Sequence, residues 1–191
     1  LTMVDRKYEN GHTLRKAHRF IAEHFLLPVH PSVYSYKKGM STSICARNHI
    51  DCFALFKLDI SDFFPSITRK MIYEMYARHF DEVSHAIATR PRKLSKTILR
   101  EVAHGISVLC TITDPRGKST DTVLPIGIEP ATVISNAVLY DLDCQLNDKS
   151  EKAGIVYTRY SDNMFFTKKD GHIPREFQQE VQDMVTSYTV A

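Results

Sequence analysis

The chain is 191 residues long, 43% hydrophobic and 25% charged, with a formal net charge of +3. That length fits one ordinary domain or a compact pair of subdomains, and the composition excludes a disordered tail or a fibrous repeat. No apolar run reaches the roughly 18–20 residues of a bilayer crossing, and Lys, Arg and His are scattered through the first 30 residues, so no signal-peptide core is expected and a chain without a membrane partner is predicted. Cys45, Cys52, Cys110 and Cys144 form no C-x-x-C pair and read as reduced packing thiols in a cytoplasmic setting. Residues 1–100 hold 17 Lys and Arg against 9 Asp and Glu, and residues 101–191 hold 8 against 13. A basic half beside an acidic half is compatible with a polyanion-binding surface next to a carboxylate cluster, and equally with solvated helix faces.

Taken in chain order, Leu14, Ala17, Ile21, Ala22 and Phe25 fall at helical intervals and predict a helix from Thr13 to Leu27, with Arg15, Lys16 and Arg19 between them. After Pro28 and Pro31 an irregular stretch carries the basic turn Lys37-Lys38-Gly39, followed by a short helix near Ser43 to Asp51. Residues 53–59 form an apolar run that ends in a carboxylate and predicts a buried strand with Asp59 at its mouth. Thr68 caps the next expected helix, whose apolar face is Met71, Ile72, Met75, Tyr76 and Phe80; a basic loop from Arg90 to Lys93 separates it from a second helix marked by Ile98 to Leu109.

Residues 111–123 predict a hairpin turning at Asp114-Pro115-Arg116-Gly117, and Leu124-Pro125-Ile126-Gly127 breaks the chain before a helix from about Thr132 to Leu146. Two further apolar strands flank Ser161-Asp162-Asn163, a hairpin with Asp162 at its tip. An amphipathic segment opening at Pro174 follows, and the chain, running from Leu1 to Ala191, reads as a piece of something longer. Helices interleaved with hairpins give the class α+β.

Asp59 and Asp162 stand 103 positions apart, each at the end of a strand or in a turn. If the two strands are neighbours in one sheet, both carboxylates project from the same edge. Such a pair suits Mg²⁺, a hard cation that takes oxygen ligands and keeps several waters, and can serve phosphoryl transfer.

Three segments carry a family pattern. They are Lys57-Leu58-Asp59-Ile60-Ser61-Asp62-Phe63-Phe64-Pro65-Ser66-Ile67, then Leu124-Pro125-Ile126-Gly127 with Ser135-Asn136 beyond it, then Tyr157-Thr158-Arg159-Tyr160-Ser161-Asp162-Asn163. In order and spacing they resemble palm motifs A, B and C of reverse transcriptases, in the form of the retron and group II intron branch. Val33 to Ser41 and Ala46-Arg47-Asn48-His49 resemble the finger region of those enzymes.

The resemblance implies a polymerase palm with an antiparallel sheet backed by helices, a partial helical fingers subdomain and no thumb. It divides the chain into a fingers part over 1–52 and a palm over 53–191, with fingers elements interspersed around 90–123. It makes Asp59 and Asp162 metal ligands for Mg²⁺ or Mn²⁺, with the Ile60 carbonyl as a third contact and Asn163 as the remaining member of the catalytic set. It sets Asp62 beside the incoming triphosphate and Phe64 against the sugar's 2′ position, where a ring excludes a ribonucleotide, and it lets the backbone at Gly127 approach the nucleotide. Lys37, Lys38 and Arg47 fall where template phosphates are gripped. The implied partners are an RNA template, a DNA or RNA primer and deoxynucleoside triphosphates.

Two positions depart from the pattern. Asn163 stands where the family usually has a second aspartate; a charge at about 4 Å and an effective dielectric near 20 is worth up to ~4 kcal/mol, so its loss weakens metal binding, while the amide keeps a coordinating oxygen. Ile126 stands where a glutamine often touches the sugar, and its aliphatic side chain cannot donate that hydrogen bond. Two alternatives to templated DNA synthesis therefore stay open: a polymerase fold that keeps an RNA groove without the chemistry, and untemplated DNA synthesis of the kind found in phage-defence relatives.

Overall fold

The structure, a computed structural model, describes residues 9–25, 27–86, 95–117 and 121–190. The basic loop from Arg90 to Lys93 lies outside them. Among the described residues are eight helices and two small antiparallel sheets, the mixed α+β class. They divide into two compact units that do not follow chain order: one of residues Leu1–Leu27 and Phe64–Val138, the other of Pro28–Phe63 and Leu139–Ala191.

The first unit is mainly helical. It holds helices α1 (Glu9–His24), α4 (Arg69–Ala86), α5 (Lys96–Leu109) and α6 (Ala131–Val138), with α4 packed on α5 and α6 and α1 on α5, and a small hairpin of β2 (Ile112–Thr113) and β3 (Thr122–Val123). Thr68 Oγ1 accepts the Met71 N–H at 3.3 Å and Ser95 Oγ accepts the Ile98 N–H at 3.2 Å, each satisfying a donor that a helix start leaves unpaired. At the other end of α5, buried His18 on α1 donates from Nε2 to the Leu109 carbonyl at 2.8 Å. Rings of Phe25, Tyr76 and Phe80 meet with centroids 5.7–6.4 Å apart, and burial pushes the Tyr76 hydroxyl well up and the Cys110 thiol up to about 12. Helix α1 starts and ends earlier than the expected Thr13–Leu27, and Pro28 disfavours helical backbone at Leu27, the expected last residue.

The second unit holds a three-stranded sheet in the order β1-β5-β4, with β1 (Ala54–Asp59), β4 (Val156–Tyr160) and β5 (Asn163–Lys168) all antiparallel. The segment at Val33 runs alongside β4, with Arg159 N–H donating to Ser32 O and Tyr34 N–H to Arg159 O, both at 2.9 Å. Helix α7 (Tyr140–Lys152) packs on β4, and α8 (Arg175–Val190) packs on α7. The core is aromatic: Phe166 stacks on Tyr157 at 5.0 Å, and Phe177 meets it edge-on at 5.9 Å. Helix α2 (Thr42–Arg47) lies over β4 and is shorter than expected, because Asn48 takes the Ile44 and Cys45 carbonyls with its side-chain amide and ends the helix. The short α3 (Phe63–Ser66) straddles the border of the two units.

One expected helix becomes two. The run from Thr132 to Leu146 breaks at Leu139 (φ −87°, ψ 5°), where α7 begins with Asp141 and Asp143 in its first turn, a placement that favours a fresh helix start.

Candidate active site

Strand β5 lies between its neighbours, so Asn163 faces Asp59 on one side and Tyr160 on the other. Residues directly opposite share a face of the sheet. Along β1 the exposed positions are Leu55, Lys57 and Asp59, so this is the sheet's more open face. Asp59 and Asp162 thus come to the same end of one sheet, as the sequence predicts for strands that pair, and the Ile60 N–H donates to the Asp162 carbonyl at 3.2 Å to tie the strand end to the hairpin.

Because Tyr160 pairs with Asn163, the hairpin loop is only Ser161-Asp162, and Asn163 belongs to the strand rather than to the tip. Ser161 has φ 59°, at the first loop position, where glycine is the usual residue of a type II′ turn. An L-residue in that conformation costs about 1–2 kcal/mol. Its side chain and carbonyl are both engaged: Tyr36 Oη and Ser161 Oγ are 2.9 Å apart, and Arg159 Nη1 donates to the Ser161 carbonyl at 2.9 Å. Asp62, exposed and at φ 53°, sits in the turn that follows Ile60.

Asp162 is half-buried and accepts the Asn163 amide on Oδ1 at 2.8 Å; Asp59 is exposed. Among the described residues no group of three or more His, Cys, Asp or Glu side chains could hold an ion. The donors available are two carboxylates, the Asn163 amide oxygen and the Ile60 carbonyl. All are hard oxygens, and one or two carboxylates completed by water and a substrate's phosphates is the ordinary protein share of a Mg²⁺ site, so these residues fit that ion. Asp59 and Asp162 would hold it.

The sheet face behind this end is partly covered by α2 and the residues after it, leaving a cavity of about 310 Å³ lined by Cys45, Ala46, Leu55, Tyr160, Asn163 and Phe165. Its roof is His49, whose Nδ1 lies 2.7 Å from Thr167 Oγ1 and whose Nε2 lies 2.6 Å from Thr158 Oγ1. Burial lowers the imidazole below its ordinary 6.5, so the neutral ring bridges β4 and β5. All four cysteines are free, and burial raises the Cys45 thiol.

Of the expected basic contacts, Lys37 and Lys38 sit in a tight turn completed by Gly39 at φ 80°, and Arg47 is exposed at the last turn of α2; all three belong to the unit that holds Asp59 and Asp162. Phe64, Ile126 and Gly127 belong to the other unit. There Ile126 is 66% exposed and Gly127 has φ 95°, a left-handed conformation that accounts for the glycine.

Three contacts escaped sequence reasoning: Tyr36 with Ser161, His49 with its two threonines, and Arg159 with Asp143. The last had a signal. An arginine inside an apolar strand needs a buried carboxylate, and Asp143 shares the buried stripe of Leu139, Leu142 and Leu146 on α7.

Over 171 residues the chain is 28% identical to the retron Mx162 reverse transcriptase of Myxococcus xanthus, covering 87% of this chain and 34% of that protein. The chain is similar to retron reverse transcriptases. It is also 28% identical over 143 residues to the retron Ec73 reverse transcriptase of Escherichia coli and over 154 residues to the retron Mx65 enzyme of Myxococcus xanthus, covering 72% and 75% of the chain. The chain spans about a third to two-fifths of the length of these relatives. No family model matches it. Among the described residues no helix is long and apolar enough to cross a membrane.

Proposed function

We propose that this chain forms the fingers and palm of a reverse transcriptase, joining deoxynucleotides to a DNA or RNA primer on an RNA template. One observation carries the reading: Asp59 and Asp162, 103 positions apart in sequence, share one end of a single antiparallel sheet. The kinship with retron enzymes supports the retron branch over the group II intron branch, and work on nucleic acid and deoxynucleotides fits the cytoplasm.

In this reading Asp59 and Asp162 hold divalent ions, with Ile60 O and the Asn163 amide as neutral oxygen ligands. Mg²⁺ or Mn²⁺ held there would supply activation of the primer's 3′ oxygen and charge stabilisation of the leaving pyrophosphate. Asp62 lines the triphosphate's approach, and Phe64 bars a ribose 2′-hydroxyl by its bulk. Gly127 leaves room for the nucleotide, while Ile126 contributes only apolar contact. Lys37, Lys38 and Arg47 grip template phosphates, which makes binding fall steeply with salt. Asp59→Ala in the intact protein abolishes primer extension and leaves the thermal melt unchanged; normal extension by that variant refutes the site.

A second reading has one observation in its favour. The Asn163 amide already satisfies an Asp162 oxygen, as expected of a palm that has lost its chemistry and kept its RNA groove. It predicts RNA binding without Mg²⁺-dependent incorporation of deoxynucleotides, and a primer-extension assay with and without Mg²⁺ separates the two.

A further inference from the structure

A buried polar cluster lies behind the hairpin that carries Asp162. Arg159 and Asp143 are both fully buried. Arg159 Nε donates to Asp143 Oδ1 at 2.8 Å and Nη2 to Oδ2 at 2.7 Å, a two-pronged grip on one carboxylate. The remaining nitrogen, Nη1, reaches the Ser161 carbonyl at 2.9 Å, and Tyr157 Oη donates to Asp143 Oδ1 at 2.7 Å. Burial alone would lower the Arg159 pKa, but the hydrogen bonds and charge of Asp143 raise it instead, so the guanidinium stays charged.

We propose that Arg159, anchored by Asp143 on α7, is the positioning residue of the metal-holding turn. The inference rests on the reading of Asp59 and Asp162 given above. The Ser161 carbonyl belongs to the planar peptide whose N–H is that of Asp162, so fixing that oxygen fixes the plane from which Asp162 departs. Ser161 sits in a backbone conformation that serine disfavours, and while Tyr36 holds its side chain and the Ile60 N–H holds the Asp162 carbonyl, Arg159 Nη1 holds the peptide between the two loop residues. The rigid guanidinium fork suits this role, because two nitrogens hold its own orientation while the third holds the turn. An ammonium at the same place keeps the charge opposite Asp143 but has no fixed geometry to pass on. The Asp143 carboxylate cancels the arginine's charge, so the cation fixes the geometry of Asp162 without neutralising it.

The test is Arg159→Lys in the intact protein, with direct binding of Mn²⁺ followed by electron paramagnetic resonance beside single-turnover primer extension across a Mg²⁺ titration. Reaction amplitude reads the folded fraction, whereas the rate and the Mg²⁺ midpoint belong to folded molecules alone, so a purely structural role lowers amplitude and moves neither. The expected result is a Mg²⁺ midpoint raised about 10-fold together with a rate lowered about 10-fold, the size of effect seen when a partner that orients a metal ligand is lost. The triple variant D143L/Y157F/R159M removes the polar cluster as a unit, leaves no orphaned charge, and is expected to shift the midpoint the same way. Wild-type midpoint and rate in Arg159→Lys overturn the proposal. Asp59→Ala is measured alongside: extension by that variant refutes the metal reading itself, whereas an inactive Asp59→Ala beside a wild-type Arg159→Lys refutes only the positioning role.

Discussion

The β2–β3 hairpin and the β4–β5 hairpin both turn through an aspartate with an arginine two or three positions away in sequence. In the first, Arg116 closes on Asp114 directly, with Nε to Oδ1 and Nη2 to Oδ2 both at 2.8 Å, and Asp114 is buried. In the second, Arg159 on β4 gives Nε and Nη2 to Asp143 on α7 and meets the turn at the Ser161 carbonyl. Asp162 is left half-buried with a neutral amide as its partner. An aspartate neutralised by its own arginine stabilises a turn and offers nothing to a cation from outside. One whose neighbouring arginine is neutralised elsewhere keeps its charge for a ligand.

The comparison breaks most sharply if charge is removed from each aspartate's side in turn. Asp162→Asn is expected to cut primer extension about 1,000-fold, since a lost interaction of up to ~4 kcal/mol corresponds to about three powers of ten in rate. Stability should change by under about 1 kcal/mol, as expected at a half-exposed turn. Arg116→Met should do the reverse. It takes the guanidinium away from a buried carboxylate and destabilises by about 2–3 kcal/mol, the worth of hydrogen bonds to a charged group, read from a urea melt. The Mg²⁺ midpoint of the folded fraction should not move. If Arg116→Met shifted that midpoint as far as Asp162→Asn, the two hairpins would not differ as described.

Asn163→Asp sharpens the contrast with a smaller effect. A second carboxylate beside Asp162 replaces a donor with a repelling charge, so the ion-free protein should lose about 1 kcal/mol. Added Mg²⁺ should recover more than that, because a ligand that binds only the folded state stabilises it by mass action. The check is a thermal melt in EDTA and across a Mg²⁺ titration: the variant should start lower and rise further than the parent. A parent that already responds to Mg²⁺ as strongly as the variant would make the Asn163 substitution neutral for metal binding.

The parts legible in the sequence were those in which local pattern and tertiary role agree. The apolar run ending at Asp59 became β1, though as an edge strand alternating half-buried and exposed positions rather than the buried strand expected, and the aromatic and β-branched runs flanking Ser161-Asp162 became β4 and β5. The same pattern made the sheet end recognisable as a place for two carboxylates. Illegible were contacts between residues whose own neighbourhoods say nothing of each other. Tyr36 and Ser161 are 125 positions apart, and His49 meets threonines 109 and 118 positions away. The break at Leu139 was hidden because apolar spacing runs through it unchanged, with Ile134, Val138, Leu142 and Leu146 all buried. Asp143 on that stripe was readable as a buried carboxylate seeking a cation, and the arginine in strand β4 as its counterpart; each is an anomaly that the other resolves.

The smallest expected effect concerns pH, and it separates the cover of the sheet from the end that carries Asp59 and Asp162. His49 and His30 both have pKa values lowered from 6.5, chiefly by burial; for His30, the charges of Asp143 and Asp148 offset part of that lowering. A histidine that resists protonation when folded leaves the unfolded chain with more bound protons just below pH 6.5. Stability is then greatest above the unfolded value and is lost as the pH falls through that point toward the folded pKa. The melting temperature of the ion-free protein should therefore decline between about pH 7.5 and 5.5, the range in which histidine changes charge. His49→Gln, which keeps one donor and one acceptor toward Thr158 and Thr167, should flatten the decline without abolishing it, since His30 remains. An unchanged slope would assign the whole effect elsewhere and leave His49 as packing alone. A steeper slope would mean that the neutral ring was not the form bridging β4 and β5.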